Sequence, residues 1–422
     1  LELKAKHNTA EIKNRIWNIL ELSKSKKLQD QKNYLMSLNS ISEVIRNQEK
    51  NIRDSIQLYT NQITSSNKEE ILFSLKERLT KLKLRIRKEY PKYINLRYNN
   101  SFVKLSDALA KLNTDNTLFS FFEIDSTVYS LKLRHDQFLF RKFNTSVENI
   151  LSNFKKHVVN EIDDSDKSLI ILPDEKSWGL DFGVFSINNE SSKYLIEKLP
   201  ISYGFSGSIL FKNHSTQLSD RPDILAFAYG DEGTSDFKNV PLSRFRDVSL
   251  DELPGSLYEI KQISEIMDGE FLLGSSSGEK QFKEKTNEYE ILHLAVHGEI
   301  NDDNPEYSKL IFFNGGEEKE DGKLHAYELY NMQLKAKLAV LSACNSGSGN
   351  LSSGEGIHSL GRAFAFAGVP SLLLTRSEVS DLSTPFIMKY FYEEINKGKK
   401  KSEELRNSQL KFLKNDADNI TS

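Results

Sequence analysis

The residues best suited to chemistry in this sequence are a histidine and the single cysteine of the chain, His297 and Cys344. Each follows a short apolar run, and glycine comes soon after each of them, as Gly298 and Gly347. A thiol becomes a nucleophile when a nearby imidazole or positive field makes the thiolate available. The pair therefore indicates nucleophilic catalysis by a thiol with a histidine base. Taken separately, each has a structural alternative, because a lone cysteine is most often a buried small apolar side chain.

Two predicted strands must position this pair, within a pattern that runs from Ser168 onward. Short apolar segments alternate there with helical ones, which is typical of a mostly parallel sheet covered by helices on both faces. The carboxyl ends of parallel strands lie at one edge of the sheet, where ligands and catalytic groups gather. We therefore expect the two side chains to meet at that edge. The predicted strands are 169–172, 224–228, 290–294, 309–312, 338–342 and 371–374, and the predicted helices are 257–267, 356–367 (stopped by Gly368) and one capped by Thr384 with Pro385 at its first position.

A different pattern precedes this region. Residues 117–122 and 127–133 are rich in aromatic and β-branched residues and predict a β-hairpin, with 137–142 as a third strand. Apolar residues then recur at helical spacing over 144–160. These segments predict a smaller sheet with a helix packed against it.

The first hundred residues contain no glycine and one proline, Pro91. Apolar residues recur at helical spacing, most regularly as a 3-4-3-4 stripe between Leu72 and Ile86. Ser65 to Asn67 predict a break and a new helix start. The pattern favours several antiparallel helices, as a bundle or as the end of a helical repeat array.

Charge is distributed unevenly along the chain. Residues 1–100 hold 21 Lys and Arg against 11 Asp and Glu, whereas the whole chain holds 57 against 60. The densest basic run, 81–88, alternates with apolar residues and predicts an amphipathic helix. A solvated helix face explains this run, and a surface for RNA, DNA or protein is the alternative.

Length and composition set further limits. With 422 residues, 38% apolar and 28% charged, the chain predicts two or three folding units with a real core. The sequence contains no run of 18 uncharged apolar residues and therefore predicts no membrane span, and its charged start is unlike a signal peptide. One cysteine excludes a disulfide framework and any multi-cysteine metal site. We expect a soluble cytoplasmic protein and, since the sequence begins with Leu1, a fragment of a longer chain.

Other motifs do not complete a site. His293 and His297 have zinc-protease spacing, but they lie on a strand pattern and lack the glutamate of that helical motif. Gly354-Glu-Gly356 is not followed by the Gly-Lys-Ser/Thr of a phosphate-binding loop. The sequence therefore predicts no metal and no cofactor.

The ordered motifs of residues 113–422 resemble the CHAT domain, a caspase-like peptidase module associated with tetratricopeptide repeats. The histidine motif is Ile291-Leu-His-Leu-Ala-Val-His-Gly298, and the cysteine motif is Val340-Leu-Ser-Ala-Cys-Asn-Ser-Gly347. Their His and Cys are 47 residues apart, close to the roughly 50 of caspases. Further segments that resemble the family in order are 169–174, 194–203, 253–260, 354–369, 391–392, Gly398 and 405–406.

The resemblance implies an α/β caspase-like fold, a mostly parallel sheet flanked by helices and preceded by an all-α region. Residues 1–112 would be the end of a tetratricopeptide-like helical arm, 113–255 a pseudo-caspase half and 256–422 the catalytic half. Cys344 would be the nucleophile and His297 the general base and acid. The backbone N–H groups of Gly298 and Cys344 would form the oxyanion hole.

The sequence departs from the family next to the expected substrate pocket. Arg376 and Ser377 stand where the family usually has a Leu-Trp pair. Asp381 keeps the family's acid and would either favour a basic P1 residue or cap the next helix. Arg376 would either suit an acidic P1 residue or pair with Glu378. These three charged residues, Asp381, Arg376 and Glu378, are the predicted substrate-binding residues.

The resulting expectation is a regulated cysteine endopeptidase that cleaves a specific protein in a prokaryotic defence or signalling system. An activating or inhibitory protein would bind the helical arm, and relatives point to an RNA-guided complex or a gasdermin-like protein as partner. Direct nucleic-acid binding and membrane binding are not expected. The alternative is a non-catalytic repeat scaffold on a degenerate caspase-like fold, to which the altered segment 375–381 would belong.

Overall fold

The computed structural model gives the protein as an α/β chain with a helical region near its start. The structure describes residues 9–24, 67–90, 102–145, 149–187, 193–212, 217–229, 254–301, 307–314, 320–330, 332–342, 359–375, 383–398 and 400–416, and scattered positions between 42 and 59.

The described helices are α1 (Ala10–Ser23), α2 (Lys68–Glu89), α3 (Leu105–Lys111), α4 (Ile150–Val159), α5 (Leu195–Lys198), α6 (Gly207–Lys212), α7 (Pro254–Ser264), α8 (Glu279–Lys285), α9 (Ala326–Leu329), α10 (Ser359–Ala367), α11 (Thr384–Ile395) and α12 (Lys401–Asn415), with short 3-10 turns at Glu175–Gly179, Phe182–Val184 and Gly274–Ser276. The described strands are β1 (Asn116–Ile124), β2 (Thr127–Leu133), β3 (Phe138–Asn144), β4 (Ser168–Leu172), β5 (Ile201–Tyr203), β6 (Ile224–Ala228), β7 (Gly269–Leu273), β8 (Ile291–Ala295), β9 (His297–Glu299), β10 (Lys309–Ile311), β11 (Lys323–His325), β12 (Leu338–Leu341) and β13 (Leu372–Leu374).

Contacts divide the chain into two compact units, one of residues 26–101 and one of residues 1–25 with 102–422. In the smaller unit, α2 carries the apolar stripe predicted from the sequence, and Leu75, Leu82 and Ile86 on it are buried. The stripe packs in one cluster with Ile45 and Ile52. The apolar face of α2 is thus covered by residues of its own unit.

The predicted basic run lies on α2, and two of its cations pair with carboxylates one helical turn away. Lys81 lies 2.8 Å from Glu77, and Arg85 lies 3.0 Å from Glu89. Exposed pairs of this kind contribute little to stability. That this face is solvated rather than bound to nucleic acid stays a prediction.

The first sheet of the larger unit has the order β3-β2-β1-β4-β5 among the described strands. β1 and β2 form the predicted hairpin and β3 extends it, all antiparallel. β4 and β5 continue the sheet in parallel with β1. Phe154 of α4 packs on one face, and Trp17 of α1 packs on the other.

The first helix, α1, is anchored to this sheet, although the sequence grouped it with the helical arm of residues 1–112. The indole N–H of the buried Trp17 donates to the carbonyl oxygen of Val103 at 2.8 Å. At the start of α6, the N–H of Gly207 donates to the Glu21 carboxylate at 2.8 Å. Contacts therefore place α1 in the larger unit, while the family-based boundaries at residues 112 and 255 stay predictions.

The second sheet has the order β13-β12-β8-β6-β7 among the described strands and is parallel throughout, as the alternation of strands and helices predicted. Phe282 of α8 and Phe364 of α10 pack on one face. Ile260 of α7 and Phe391 of α11 pack on the other. This two-sided cover buries the sheet, and the carboxyl ends of its strands share one edge.

Two predicted strands lie outside this parallel sheet. β4 belongs to the first sheet, and β10 pairs antiparallel with β9 and β11 in a separate small sheet. For β10 the physical reason lies in the connections, because a short loop can join antiparallel neighbours, whereas a parallel neighbour needs a long crossover. β4 remains in a parallel arrangement, but its partners are β1 and β5 of the first sheet. The helix predicted to be capped by Thr384 begins at that residue instead, and Ser383 holds the cap position.

Within the described parts of the chain, none of the helices combines the length and the apolar composition needed to cross a bilayer.

Candidate active site

The candidate site lies at the carboxyl edge of the parallel sheet, where the winding direction changes. β6 is flanked by β7 on one side and by β8 on the other. In open parallel sheets the crevice at such a switch point is where ligands bind. Tyr229 follows β6 directly, and His297 follows β8 after one intervening residue. The fold thus brings these two aromatic rings to the switch point.

His297 packs against the Tyr229 ring. The ring centroids are 4.8 Å apart and the planes meet at 73°, an edge-to-face contact. The backbone of Tyr229 is held on both sides, since its N–H donates to the Ala295 carbonyl at 3.1 Å and its carbonyl accepts from the Ser256 hydroxyl at 3.1 Å. A fixed backbone keeps the tyrosine ring beside the half-buried imidazole.

The pairing of β8 with β12 relates the histidine motif to the cysteine motif. The two strands are parallel, with Leu294 opposite Leu341. The Ser342 N–H continues the ladder by donating to the Leu294 carbonyl at 3.0 Å. Partners in this register differ by 47 in residue number, the same separation as between His297 and Cys344. The register therefore aligns the two motifs as far as Ser342.

The remaining predicted site residues are placed as follows. Gly298 lies in β9, opposite Leu310 of β10. β13 ends at Leu374, just before the predicted specificity segment. The residues Cys344, Arg376, Glu378 and Asp381 lie outside the described part of the chain.

Behind the sheet edge, four side chains form a polar network that joins two helices to two strands. Glu259 of α7 accepts a hydrogen bond from the Ser342 hydroxyl at 2.9 Å. Its other carboxylate oxygen lies 3.0 Å from Nε2 of His293 in β8, close in distance but without the alignment of a hydrogen bond. Nδ1 of His293 lies 2.9 Å from the hydroxyl of Tyr392 in α11. The network reaches the end of β12 two residues before Cys344.

This network is buried. His293 and Tyr392 are 0% exposed and Glu259 is 2% exposed. Burial, reinforced by the negative charge of Glu259, raises the pKa of the Tyr392 hydroxyl well above its usual value. Buried polar groups cost free energy unless they are paired, so removing one member would leave its neighbours unsatisfied.

A group of three carboxylates elsewhere is, in the described residues, the one close enough to bind a metal: Glu279, Glu320 and Glu328. The Lys283 ammonium lies between them, at 2.6, 2.6 and 2.9 Å. Burial opposes the charged form of Lys283, but the three carboxylates outweigh it and raise the pKa of that ammonium. A protein cation thus already neutralises this acidic group.

Comparison with known families decides the classification. The CHAT domain family matches residues 149–422, well over half of the chain. The chain belongs to the CHAT domain family. No curated protein matches it significantly.

As a CHAT domain, the protein is related to the caspase-like cysteine peptidases, which agrees with the parallel sheet and its flanking helices. The match begins at residue 149, after the β1–β3 hairpin strands, whereas the motifs of the sequence suggested a start at 113. The matched region contains both the histidine and the cysteine motifs. The tetratricopeptide nature of the helical arm is not matched and stays a prediction.

Several CHAT-domain residues at this edge were not identified from the sequence. They are Tyr229, Glu259, Ser342 and Tyr392, and His293 was noted only as an incomplete zinc motif. One signal was available, because Glu259 stands between Leu257 and Ile260 in the helix that faces the sheet. An acid on the buried face of a helix implies a buried polar partner.

Proposed function

We propose that this CHAT domain is a cysteine endopeptidase in which Cys344 is the nucleophile and His297 is the general base and acid. The observation that carries the proposal is the β8–β12 register. Partners in it are 47 residues apart, as are His297 and Cys344, so the two motifs leave neighbouring strands at the same level of the sheet edge. Family membership supports the same chemistry.

In this mechanism His297 accepts the thiol proton of Cys344, and the resulting thiolate attacks the scissile carbonyl carbon. The negative charge that develops on the carbonyl oxygen is stabilised by the N–H groups of Gly298 and Cys344. The tetrahedral intermediate collapses when His297 gives its proton to the leaving amine, which leaves an acyl-enzyme. His297 then deprotonates a water that hydrolyses the thioester and restores the thiol.

Two contacts described above would help this chemistry. The edge-on Tyr229 ring limits how the His297 imidazole can turn. The Ser342 hydroxyl is tied to Glu259, which holds the end of β12. Holding the nucleophile and the base in a fixed geometry accelerates the reaction, because it makes the step effectively intramolecular.

The substrate is proposed to be a specific protein, recognised partly through the segment after β13. Asp381 would select a basic P1 residue, and Arg376 an acidic one unless it pairs with Glu378. The sign of the P1 charge therefore decides which of these residues lines the pocket.

Regulation is proposed to act through the helical arm, in the cytoplasm of a prokaryote with a defence or signalling system. An activating or inhibitory protein would bind the arm, with an RNA-guided complex or a gasdermin-like protein as the partner classes that the family resemblance suggests. Neither a cofactor nor a metal takes part in the mechanism.

The test compares the intact protein with Cys344→Ala and His297→Ala variants. Each is incubated with the proteins encoded beside it in its genome, singly and in pairs, and new peptide termini are identified by mass spectrometry. A fragment produced by the intact protein and by neither variant supports the proposal and gives the P1 residue. Tyr194→Phe, a substitution at a half-exposed ring, serves as the matched control and should cleave normally.

A different result would favour the alternative function. If a protein encoded beside it binds tightly but is cleaved neither by the unmodified chain nor by the variants, the chain acts as a non-catalytic scaffold on a caspase-like fold. If Cys344→Ala alone abolishes cleavage and His297→Ala does not, the thiol acts without this base.

A further inference from the structure

We propose that Glu259, His293 and Tyr392 are positioning residues that act through Ser342 to fix the end of β12 for the chemistry of Cys344. This inference rests on the proposed function and extends it to helix α11. Together with Ser342, these side chains form the buried polar network described above. The proposed nucleophile and base are not members of it.

The network joins the two strands that lead to the proposed dyad. Glu259 contacts His293 in β8 and Ser342 just after β12. His297 follows His293 by four residues, and Cys344 follows Ser342 by two. One carboxylate therefore ties together two strands whose continuations carry the base and the nucleophile.

The polar atoms of the network lie in one continuous chain. Nε2 of His293 lies 3.0 Å from one Glu259 carboxylate oxygen without the alignment of a hydrogen bond, and the other carboxylate oxygen accepts from Ser342. The carboxylate favours the tautomer with the proton on Nε2, since a lone pair there would be repelled. In that tautomer Nδ1 accepts a hydrogen bond from the Tyr392 hydroxyl at 2.9 Å.

The buried network carries a desolvation cost that an apolar layer would avoid. Glu259 is a carboxylate on a helix face otherwise packed with apolar residues such as Ile260 and Ile263, which are both 0% exposed. Apolar side chains would fill this layer without a desolvation penalty. A carboxylate here is explained by the fixed geometry that it imposes on Ser342.

The single cysteine of the chain allows a test that needs no substrate. Alkylation by iodoacetamide, followed by intact mass as a function of pH, reports the thiolate fraction of Cys344 alone. Tyr392→Phe and Ser342→Ala each remove one hydroxyl of the network with little change of shape, and Glu259→Gln removes the negative charge of the carboxylate at nearly constant size. Ser342→Thr keeps the hydroxyl and should rescue the profile. Tyr390→Phe is the matched control. Tyr390 lies on the same helix as Tyr392, but its hydroxyl donates to Asp416 and is not part of the network.

If the network positions the thiol, the three variants should shift the alkylation profile to higher pH and lower the rate at pH 7 by about tenfold, which corresponds to one pKa unit. Tyr390→Phe and Ser342→Thr should match the intact protein. Thermal unfolding identifies any variant that fails to fold, and the milder Tyr392→Phe then decides.

The His297→Ala variant separates this inference from the proposed function. If it shifts the profile and folded network variants do not, the dyad stands and the positioning role is overturned. If network variants shift the profile and His297→Ala does not, the network acts on the thiol and the dyad is overturned. If no variant shifts it, both are overturned.

Discussion

The rings of Tyr229 and His297 pack edge to face, with their centroids 4.8 Å apart. The contact joins the residue after β6 to the residue that opens β9, across the point where the sheet reverses its winding direction.

Truncation of Tyr229 should weaken catalysis by freeing the imidazole. Aromatic pairs contribute about 0.5–1.5 kcal/mol, so Tyr229→Ala should lower kcat/KM about two- to twelvefold in the peptidase assay. Tyr229→Phe keeps the ring and should retain most activity. Equal losses in both variants would show that the hydroxyl, rather than the ring contact, is what matters.

The raised pKa of Tyr392 predicts a loss of stability at alkaline pH. The buried hydroxyl stays protonated in the folded protein, whereas in the unfolded chain it ionises above about pH 10. Its contribution is therefore complete below pH 10 and declines above it by about 1.4 kcal/mol per pH unit. Urea unfolding between pH 8 and pH 11 should show a shallower decline for Tyr392→Phe than for the intact protein.

The control for this pH dependence is Tyr194→Phe, since Tyr194 is 47% exposed. It should leave the slope of the intact protein unchanged. If Tyr392→Phe and the intact protein lose stability in parallel above pH 10, the Tyr392 hydroxyl is not shielded from water as the structure shows.

Lys24 should be a strong anchor of α1 despite being a lysine. Its buried ammonium donates to the carbonyl oxygens of Leu172 at 3.1 Å and Pro173 at 2.8 Å, and burial lowers the pKa of that ammonium. Lys24→Met removes both donors and should cost about 1–3 kcal/mol in the free energy of unfolding, measured in urea.

The matched change on the same helix is Arg15→Ala. Arg15 pairs with Glu11 at 2.7 Å, but both side chains are more than half exposed. This variant should stay within about 0.5 kcal/mol of the intact protein. Similar losses for both variants would argue against a buried anchor at Lys24.

Gly269 should tolerate no side chain. A Cβ at this position would lie 2.0 Å from the carbonyl oxygen of Ile224, where β7 begins beside β6. Gly269→Ala should therefore cost more than about 3 kcal/mol or prevent folding. Gly398 has a φ of +71° but open space around it, so a substitution there tests backbone strain without a steric clash. Gly398→Ala should lower the free energy of unfolding by about 1–2 kcal/mol. Circular dichroism and thermal unfolding measure both variants.

The sequence alone predicted the parts of this fold that depend on local pattern. The hairpin of β1 and β2 follows from aromatic and β-branched composition. The stripe on α2 follows from helical periodicity, and the parallel sheet follows from the alternation of short apolar segments with helical ones. The histidine and cysteine motifs could also be identified from the sequence, because in each an apolar run is followed by a glycine. Their order and spacing were enough to indicate the CHAT family, which the family comparison then confirmed.

Only the tertiary structure decided which strand pairs with which. The sequence could not tell that β10 leaves the parallel sheet, or that α1 packs on the first sheet rather than with the helical arm, because pairing depends on contacts between distant residues. The same reason explains the network. Glu259 and Tyr392, the outermost members, differ by 133 in residue number, and only the packing of α7 and α11 against one face of the sheet brings the polar atoms of the network together.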